Sequence, residues 1–209
     1  VLMHKGNNPI TQIIVTERIP LRKIAIERAT LIRYDSIYGT YVFQFEKPIE
    51  PNEKVNFSFE IVKEKKGYEA DQSIVKNGTY ITHRDFEPYL GYRSAIEISN
   101  NFERQKRGLS KREVGDKTDS HIALKDEKIG RVNYETIIST QQDQIALGSG
   151  ELVNKWQRDN RNYYHYKSSS KVLPMLGYFS ARYSTKFSSF EGIQIEQYYD
   201  AKHDFNIEI

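Results

Sequence analysis

The sequence predicts a mostly β fold, an antiparallel β-sandwich or saddle with one short helix. Aromatic residues make up 12% of the 209 residues, and Val, Ile and Thr are frequent around them, side chains that fit the pleated surface of a strand. Several segments alternate apolar and polar residues, which is the strand period. Prolines and glycines separate these segments and indicate turns.

The first third of the chain reads as four successive strands. The alternation is clearest in the last one, where Val55, Phe57, Phe59 and Ile61 predict a buried face. The two prolines and Asn52 of KPIEPNE predict a turn before this strand. The four predicted strands are TQIIVTERI, RKIAIERATLIRY, GTYVFQFE and KVNFSFEIVKE.

The middle of the chain predicts less regular structure. Asn77-Gly78 favours a tight turn with positive φ, and a structured loop follows it. Apolar spacing predicts the helix over residues 94–108. Mixed charges and few apolar residues over 103–131 predict a solvated, partly mobile connection within a single domain, 1–209.

The rest of the chain returns to strands. The Gly-x-Gly of LGSGEL lacks the third glycine and the following helix of a dinucleotide site, so it predicts a turn. The predicted strands are RVNYETIIST, DQIAL, RNYYHYK, LGYFSARYSTKF and GIQIEQYYD.

Composition excludes several function classes. The 31 basic and 28 acidic residues give a net charge of +3, too balanced for a protein that binds by releasing counterions from phosphates. Without Cys the chain has no disulfide or thiolate site. Its five histidines lack the spacing of a zinc helix. No apolar run approaches the ~18 residues of a membrane span, so the chain is expected to be soluble. It begins at Val1 without an initiating Met and ends at Ile209 within a strand-like segment, FNIEI, so it is expected to be a piece of a longer protein.

The segment WQRDNRNYYHYKSSSK raises the question of a nucleic-acid platform, because bases stack on aromatic rings among cations. In a strand, however, Tyr164 and Tyr166 face one way, whereas Tyr163 and His165 face the other. One face is then core, and we predict a strand with rim charges and no nucleic-acid partner.

Several segments, taken in their order along residues 21–209, resemble the β-rich N-terminal domain of zinc aminopeptidases of the aminopeptidase N type. The resemblance lies in KPIEPNEKVNFSFEIV, in the series from YETIISTQQDQIALGSGEL to RNYYHYK, and in PMLGYFSARYSTKF and GIQIEQYYDAKHDFNI. Asn52 departs from it by replacing a usual Gly. NGTYITHRDFEPYLGYRSAIEISNNFERQKRGL is similar to the bacterial branch whose peptidase portion is fused to an ABC-transporter permease.

The resemblance implies a non-catalytic domain that caps a downstream catalytic domain. Zinc is expected in that missing domain and no cofactor or catalytic residue in this chain, so this chain alone is not an enzyme. Its parent is expected to be a zinc metallo-aminopeptidase, active or inactive. The chain would lie on the extracytoplasmic side of a bacterial membrane and meet the membrane only through missing segments.

The resemblance assigns one site residue, Glu87 in DFEPYLGYR. At the matching place in the family, a Glu or Gln holds the α-amino group of the peptide substrate, so the peptide N-terminus is the expected partner of Glu87. Leu90, Gly91 and Tyr92 depart from the family's Asp-Ala-Arg. Two alternatives stay open: Glu87 as an ordinary surface carboxylate, and the chain as a stand-alone β-sandwich binding or adaptor module for a protein or glycan.

Overall fold

A computed structural model describes residues 1–65, 67–68, 72–91, 98–112 and 130–207. The chain forms two compact units. The first contains Val1–Lys63 and Arg84–Lys128, and the second contains Glu64–His83 and Ile129–Ile209. A single domain over 1–209 stays a prediction.

Strands dominate both units, so the mostly β, antiparallel fold class is confirmed. None of the helices in the described ranges is long and apolar enough to cross a membrane. In chain order the elements are β1 Leu2–Met3, β2 Ile10–Thr16, β3 Leu21–Ile26, β4 Ala29–Asp35, β5 Thr40–Ile49, β6 Lys54–Val55, β7 Phe57–Ile61, β8 Ile74–Val75, β9 Gly78–Thr82, α1 His83–Phe86, β10 Tyr89–Leu90, α2 Asn101–Lys106, β11 Glu135–Gln141, β12 Ile145–Gly148, β13 Glu151–Arg158, β14 Arg161–Lys167, β15 Gly177–Ala181, β16 Ser184–Phe190, β17 Ile193–Tyr199 and a 3-10 helix Ala201–Asn206.

The first unit has a four-stranded antiparallel sheet in the order β10-β2-β5-β4, together with the pairs β3-β7 and β1-β6. Alternation along β5 buries one face of the sheet, because every second side chain points to the core. The strand pairs supply the other side of that core. Its buried side chains are Val15, Ile26, Tyr41, Phe43, Phe45, Ile49 and Val55.

The second unit combines the sheets β12-β15-β9-β8 and β11-β14-β13 with the hairpin β16-β17. Ala146 of the first sheet packs with Tyr164 and Tyr166 of the second in its buried core. The Tyr166 hydroxyl donates a 2.9 Å hydrogen bond to the backbone oxygen of Ala146, which satisfies the polar end of a buried ring.

Three predicted strands are each broken in two. KVNFSFEIVKE divides at Asn56 between β6, where Val55 pairs with β1, and β7, where Phe57 pairs with β3. RKIAIERATLIRY divides between β3 and β4, where Arg28 has a φ of 61°. LGYFSARYSTKF divides between β15 and β16. All three segments have continuous apolar and aromatic patterns in the sequence, because a break of one or two residues without Gly or Pro leaves little mark.

The predicted helix at 94–108 is confirmed as a shorter element, α2. The Asn100 side chain accepts hydrogen bonds from the backbone N–H groups of Phe102 and Glu103, so this N-cap fixes the start of the helix. Residues 98–100 are therefore not helical, and 92–97 lie outside the described residues.

The predicted connection at 103–131 lies partly within the described residues. Up to residue 112 the chain folds around Arg104, which is buried and donates to the backbone oxygens of Ser110 at 2.6 Å and Ile98 at 3.1 Å. Residues 113–129 lie outside the described residues, so a mobile connection stays a prediction there.

A turn is present near Asn77-Gly78, but the reason for the glycine differs from the predicted one. Lys76 and Asn77 form the turn, and Gly78 begins β9 without the predicted positive φ. A Cβ added at Gly78 would collide with the backbone oxygen of Ser180 in β15. This glycine is needed for close approach of two strands rather than for a left-handed backbone.

Candidate functional site

Glu87 lies between α1 and β10 and is exposed, whereas the next residue, Pro88, is buried. Proline disfavours a helical conformation in the residue before it, which explains why α1 ends at Phe86 and why Glu87 leaves the helix. The burial of Pro88 then anchors this exposed carboxylate to the first unit.

Two contacts fix the backbone around Glu87. Arg18 Nε donates a 3.1 Å hydrogen bond to the backbone oxygen of Glu87. Just beyond it, Tyr89 pairs with Thr16 in the antiparallel ladder between β10 and β2. Glu87 thus lies at one end of the four-stranded sheet. Its backbone oxygen is bound by Arg18, and the strand that follows it, β10, is paired with β2.

A second polar cluster lies at this end of the sheet and was not predicted from the sequence. Glu17 accepts hydrogen bonds from the Leu21 N–H at 3.0 Å, the Tyr41 hydroxyl at 2.8 Å and the Tyr34 hydroxyl at 3.3 Å. Burial and then the bond to Glu17 raise the pKa of Tyr41 well above its usual range. The sequence gives little indication of this cluster, because the three groups that donate to Glu17 belong to three different strands, β3, β4 and β5.

The segment that suggested a nucleic-acid platform is part of a hairpin. Tyr164 and Tyr166 are buried, whereas Tyr163 and His165 lie on the other face, as predicted. Trp156 of β13 lies directly opposite Tyr163 in the ladder, and the rings stack at 5.3 Å between centroids and 9° between planes. The Trp156 ring thus occupies one face of Tyr163, a face that a base would need.

Two features of this hairpin were missed. Neither strand β13 nor the turn at Asp159 and Asn160 was predicted from the sequence. The φ angles of these two turn residues are 50° and 56°. Two successive positive φ values are typical of a type I′ hairpin, and Asp and Asn tolerate them. The Asp-Asn pair was the available signal.

Beside this aromatic pair lies a small charged cluster. His165 Nε2 is 2.8 Å from Glu135 Oε1, and Lys167 Nζ is 3.6 Å from Glu135 Oε2. The hydrogen bond with His165 and the charge of Lys167 lower the pKa of Glu135. Glu135 lies directly opposite Lys167 in the ladder between β11 and β14, so these contacts are cross-strand pairs of opposite charge.

A metal site would need several His, Cys, Asp or Glu side chains close together among the described residues. The described residues contain no group of three or more His, Cys, Asp or Glu side chains that could hold a metal ion. His121 lies outside the described residues. The donor set of a catalytic zinc site is therefore not formed by the described part of the chain.

The sequence matches no known protein-family profile and no curated protein. Among solved structures, the chain is similar to a two-domain M1 zinc metallopeptidase mutant bound to L-tryptophan, at 9% identity and a TM-score of 0.49. The alignment covers 93% of this chain and 40% of that chain. For the M1 zinc metallopeptidase from Deinococcus radiodurans, the values are 11% identity, a TM-score of 0.45, and coverage of 88% and 37%.

A third structure, the Deinococcus radiodurans enzyme mutant bound to the substrate Tyr-Ser-Ala, gives 9% identity and a TM-score of 0.48, with coverage of 93% and 40%. The chain thus spans about two fifths of the length of these structures. At such identities and TM-scores, the comparison does not assign the chain to a family.

Proposed function

We propose that the chain is the non-catalytic N-terminal portion of an aminopeptidase-like zinc metallopeptidase. It caps a downstream catalytic domain and helps bind the amino end of a peptide substrate. The observation that carries the proposal is the placement of Glu87: an exposed carboxylate on a backbone held by Arg18 and the buried Pro88. The resemblance of the segment DFEPYLGYR suggests the group that Glu87 binds, the α-amino group of the peptide.

The chemistry follows from charge and rigidity. A carboxylate forms a strong, charge-assisted hydrogen bond with the ammonium group of a free peptide N-terminus. An acetylated or internal peptide bond lacks that charge, so the contact discriminates against it. A side chain on a fixed backbone also loses less conformational entropy on binding. When a second domain covers the contact and excludes water, the attraction strengthens.

In this proposal, the zinc belongs to the downstream domain. We therefore assign binding and capping to this chain and no step of peptide-bond hydrolysis. The proposal predicts that the gene continues beyond Ile209 into an HExxH helix and a further Glu ligand.

Reading about 150 further codons, a typical domain length, tests this prediction. The full-length protein should then release the first residue of unblocked peptides and lose that activity when a chelator removes the metal. A stop codon or an unrelated domain after Ile209 would overturn the proposal. A downstream domain of this type without zinc ligands would identify an inactive parent and leave only the binding role.

The location of the parent protein is a separate proposal. We propose that it belongs to the bacterial branch fused to an ABC-transporter permease and that this chain lies on the extracytoplasmic side. The support is the similarity of the segment from NGTYITH to KRGL. Protease treatment of intact spheroplasts should cleave the chain, whereas protection until lysis would contradict the location.

A further inference from the structure

The turn between β4 and β5, residues 36–39, carries two exposed apolar side chains side by side. Ile37 is 86% exposed and Tyr38 is 75% exposed. Single exposed apolar residues are common on protein surfaces. Here two adjacent ones project from a turn, a place where polar residues usually lie. We call residues 36–39 the β4-β5 tip.

The β4-β5 tip is held in one conformation. The Asp35 carboxylate accepts hydrogen bonds from the backbone N–H groups of Ile37 at 3.0 Å and Tyr38 at 3.2 Å. Gly39, with a φ of 57°, packs against Glu17 so closely that an added Cβ would lie 2.6 Å from Glu17 Cγ. Glu17 N–H also donates to the Gly39 oxygen at 2.9 Å. Because the tip is already ordered, a ligand that contacts it pays little entropy for ordering it.

The β4-β5 tip and Glu87 lie at the same end of the four-stranded sheet. The ladder registers place Tyr89, Thr16, Thr40 and Asp35 in one row across β10, β2, β5 and β4. Glu87 precedes one end of this row, and the tip follows its other end. The row spans three strand spacings of about 4.8 Å each, about 14 Å in all.

An extended peptide advances about 3.4 Å per residue, so four residues cover about 14 Å. We propose that Glu87 and the β4-β5 tip bind one extended peptide. The free amino group of the peptide contacts Glu87, and an apolar side chain at its fourth or fifth residue packs on Ile37 and Tyr38. The inference rests on the proposed role of Glu87 and adds a substrate class: peptides of five or more residues with an apolar residue at that position.

The test uses the 209-residue chain and hexapeptides labelled at the carboxyl end, with binding followed by fluorescence anisotropy. One peptide carries Leu at positions four and five, and its partner carries Ser there. Each is made with a free and with an acetylated amino end. We expect the Leu peptide with a free amino end to bind about tenfold or more tightly than the Ser peptide, as for one or two buried aliphatic groups.

The combined variant Ile37→Ser and Tyr38→Ser should reduce the Leu-to-Ser ratio to about one. The matched control is Ile32→Ser, which removes an exposed apolar side chain from β4 away from the tip and should keep the ratio. A wild-type ratio near one, an unchanged ratio in the tip variant, or no binding of any peptide would overturn the inference.

The variant Glu87→Gln separates the inference from the proposed function. It should abolish the preference for the free amino end and keep the Leu preference. If the Leu preference depends on the tip but acetylation has no effect, the Glu87 role fails and the tip contact stands. A tip variant that loses binding to phosphatidylcholine and phosphatidylglycerol vesicles, with no peptide preference in the wild type, would instead assign the tip to a lipid surface.

Discussion

The Tyr41 hydroxyl donates a 2.8 Å hydrogen bond to the carboxylate of Glu17 at the end of the four-stranded sheet. The same carboxylate accepts from the Leu21 N–H and the Tyr34 hydroxyl. Glu17→Gln leaves one acceptor oxygen for three donors, and one of them is a partly buried phenol. We expect the free energy of unfolding to fall by about 1–3 kcal/mol, as measured by urea denaturation.

Glu46→Gln is the matched control, because Glu46 is an exposed carboxylate on the neighbouring strand β5. Its substitution should change the free energy of unfolding by no more than about 0.5 kcal/mol. Equal effects of the two substitutions would show that the Glu17 cluster does not hold this end of the sheet.

A second prediction concerns the close approach of β9 and β15. Gly78→Ala introduces a Cβ that collides with the Ser180 backbone oxygen, and backbone cannot move aside as a flexible side chain can. We expect the free energy of unfolding to fall by about 1–3 kcal/mol or more. Hydrogen exchange should also show a loss of amide protection in β9 and β15.

Gly177→Ala tests whether the effect is specific to that contact. Gly177 lies in β15 of the same sheet, but its added Cβ meets only the Phe179 ring, at 3.2 Å. This variant should lose clearly less stability. If the two alanine variants are equally stable, the account of Gly78 is wrong.

A third prediction concerns alkaline pH. Burial, and then the nearby Tyr164, raise the pKa of Tyr166 to about 12. The neutral phenol is thus favoured in the folded state, so this stabilisation is complete below the ordinary tyrosine pKa of about 10 and is lost as pH rises through about 12. We expect the free energy of unfolding to decline above pH 10, and Tyr166→Phe to make the decline shallower.

The measurement is urea denaturation at a series of pH values from 8 to 11.5. At pH 8, Tyr166→Phe should also cost about 0.5–1.5 kcal/mol, because the hydrogen bond to Ala146 is lost. Tyr68→Phe, at a fully exposed ring, should change neither quantity. An identical pH dependence in wild type and Tyr166→Phe would contradict the shifted pKa.

A fourth prediction concerns Asn52, which lies in the turn between β5 and β6. Its φ is 68°, a conformation that Asn tolerates and Gly adopts without strain. Asn52→Gly should therefore leave the melting temperature unchanged or raise it slightly, whereas Asn52→Val should lower it by several degrees, since a branched side chain is strained there. Equal melting temperatures for the two variants would contradict this reading of the turn.

The sequence predicted what depends on local periodicity. The division of RNYYHYK into a buried and an outer face is present. In KVNFSFEIV, Val55 is buried, but Phe57, Phe59 and Ile61 are only half-buried and the segment is split into two strands. Prediction from the sequence failed where distant strands decide the outcome: Gly78 is required by Ser180, more than a hundred residues away. The Glu17 cluster is a similar case. For the candidate site, the resemblance in the sequence could name Glu87, but only the fold places it at the same end of the sheet as the β4-β5 tip.

Glu87 is proposed to bind the amino end of a peptide. The most direct measurement is kcat/KM of the full-length protein for peptides with a free amino end, compared between Glu87→Gln and Glu46→Gln. Because a charge-assisted contact is lost, Glu87→Gln should reduce kcat/KM by about ten- to a hundredfold, and Glu46→Gln should match the wild type. Wild-type kcat/KM in Glu87→Gln would contradict the claim.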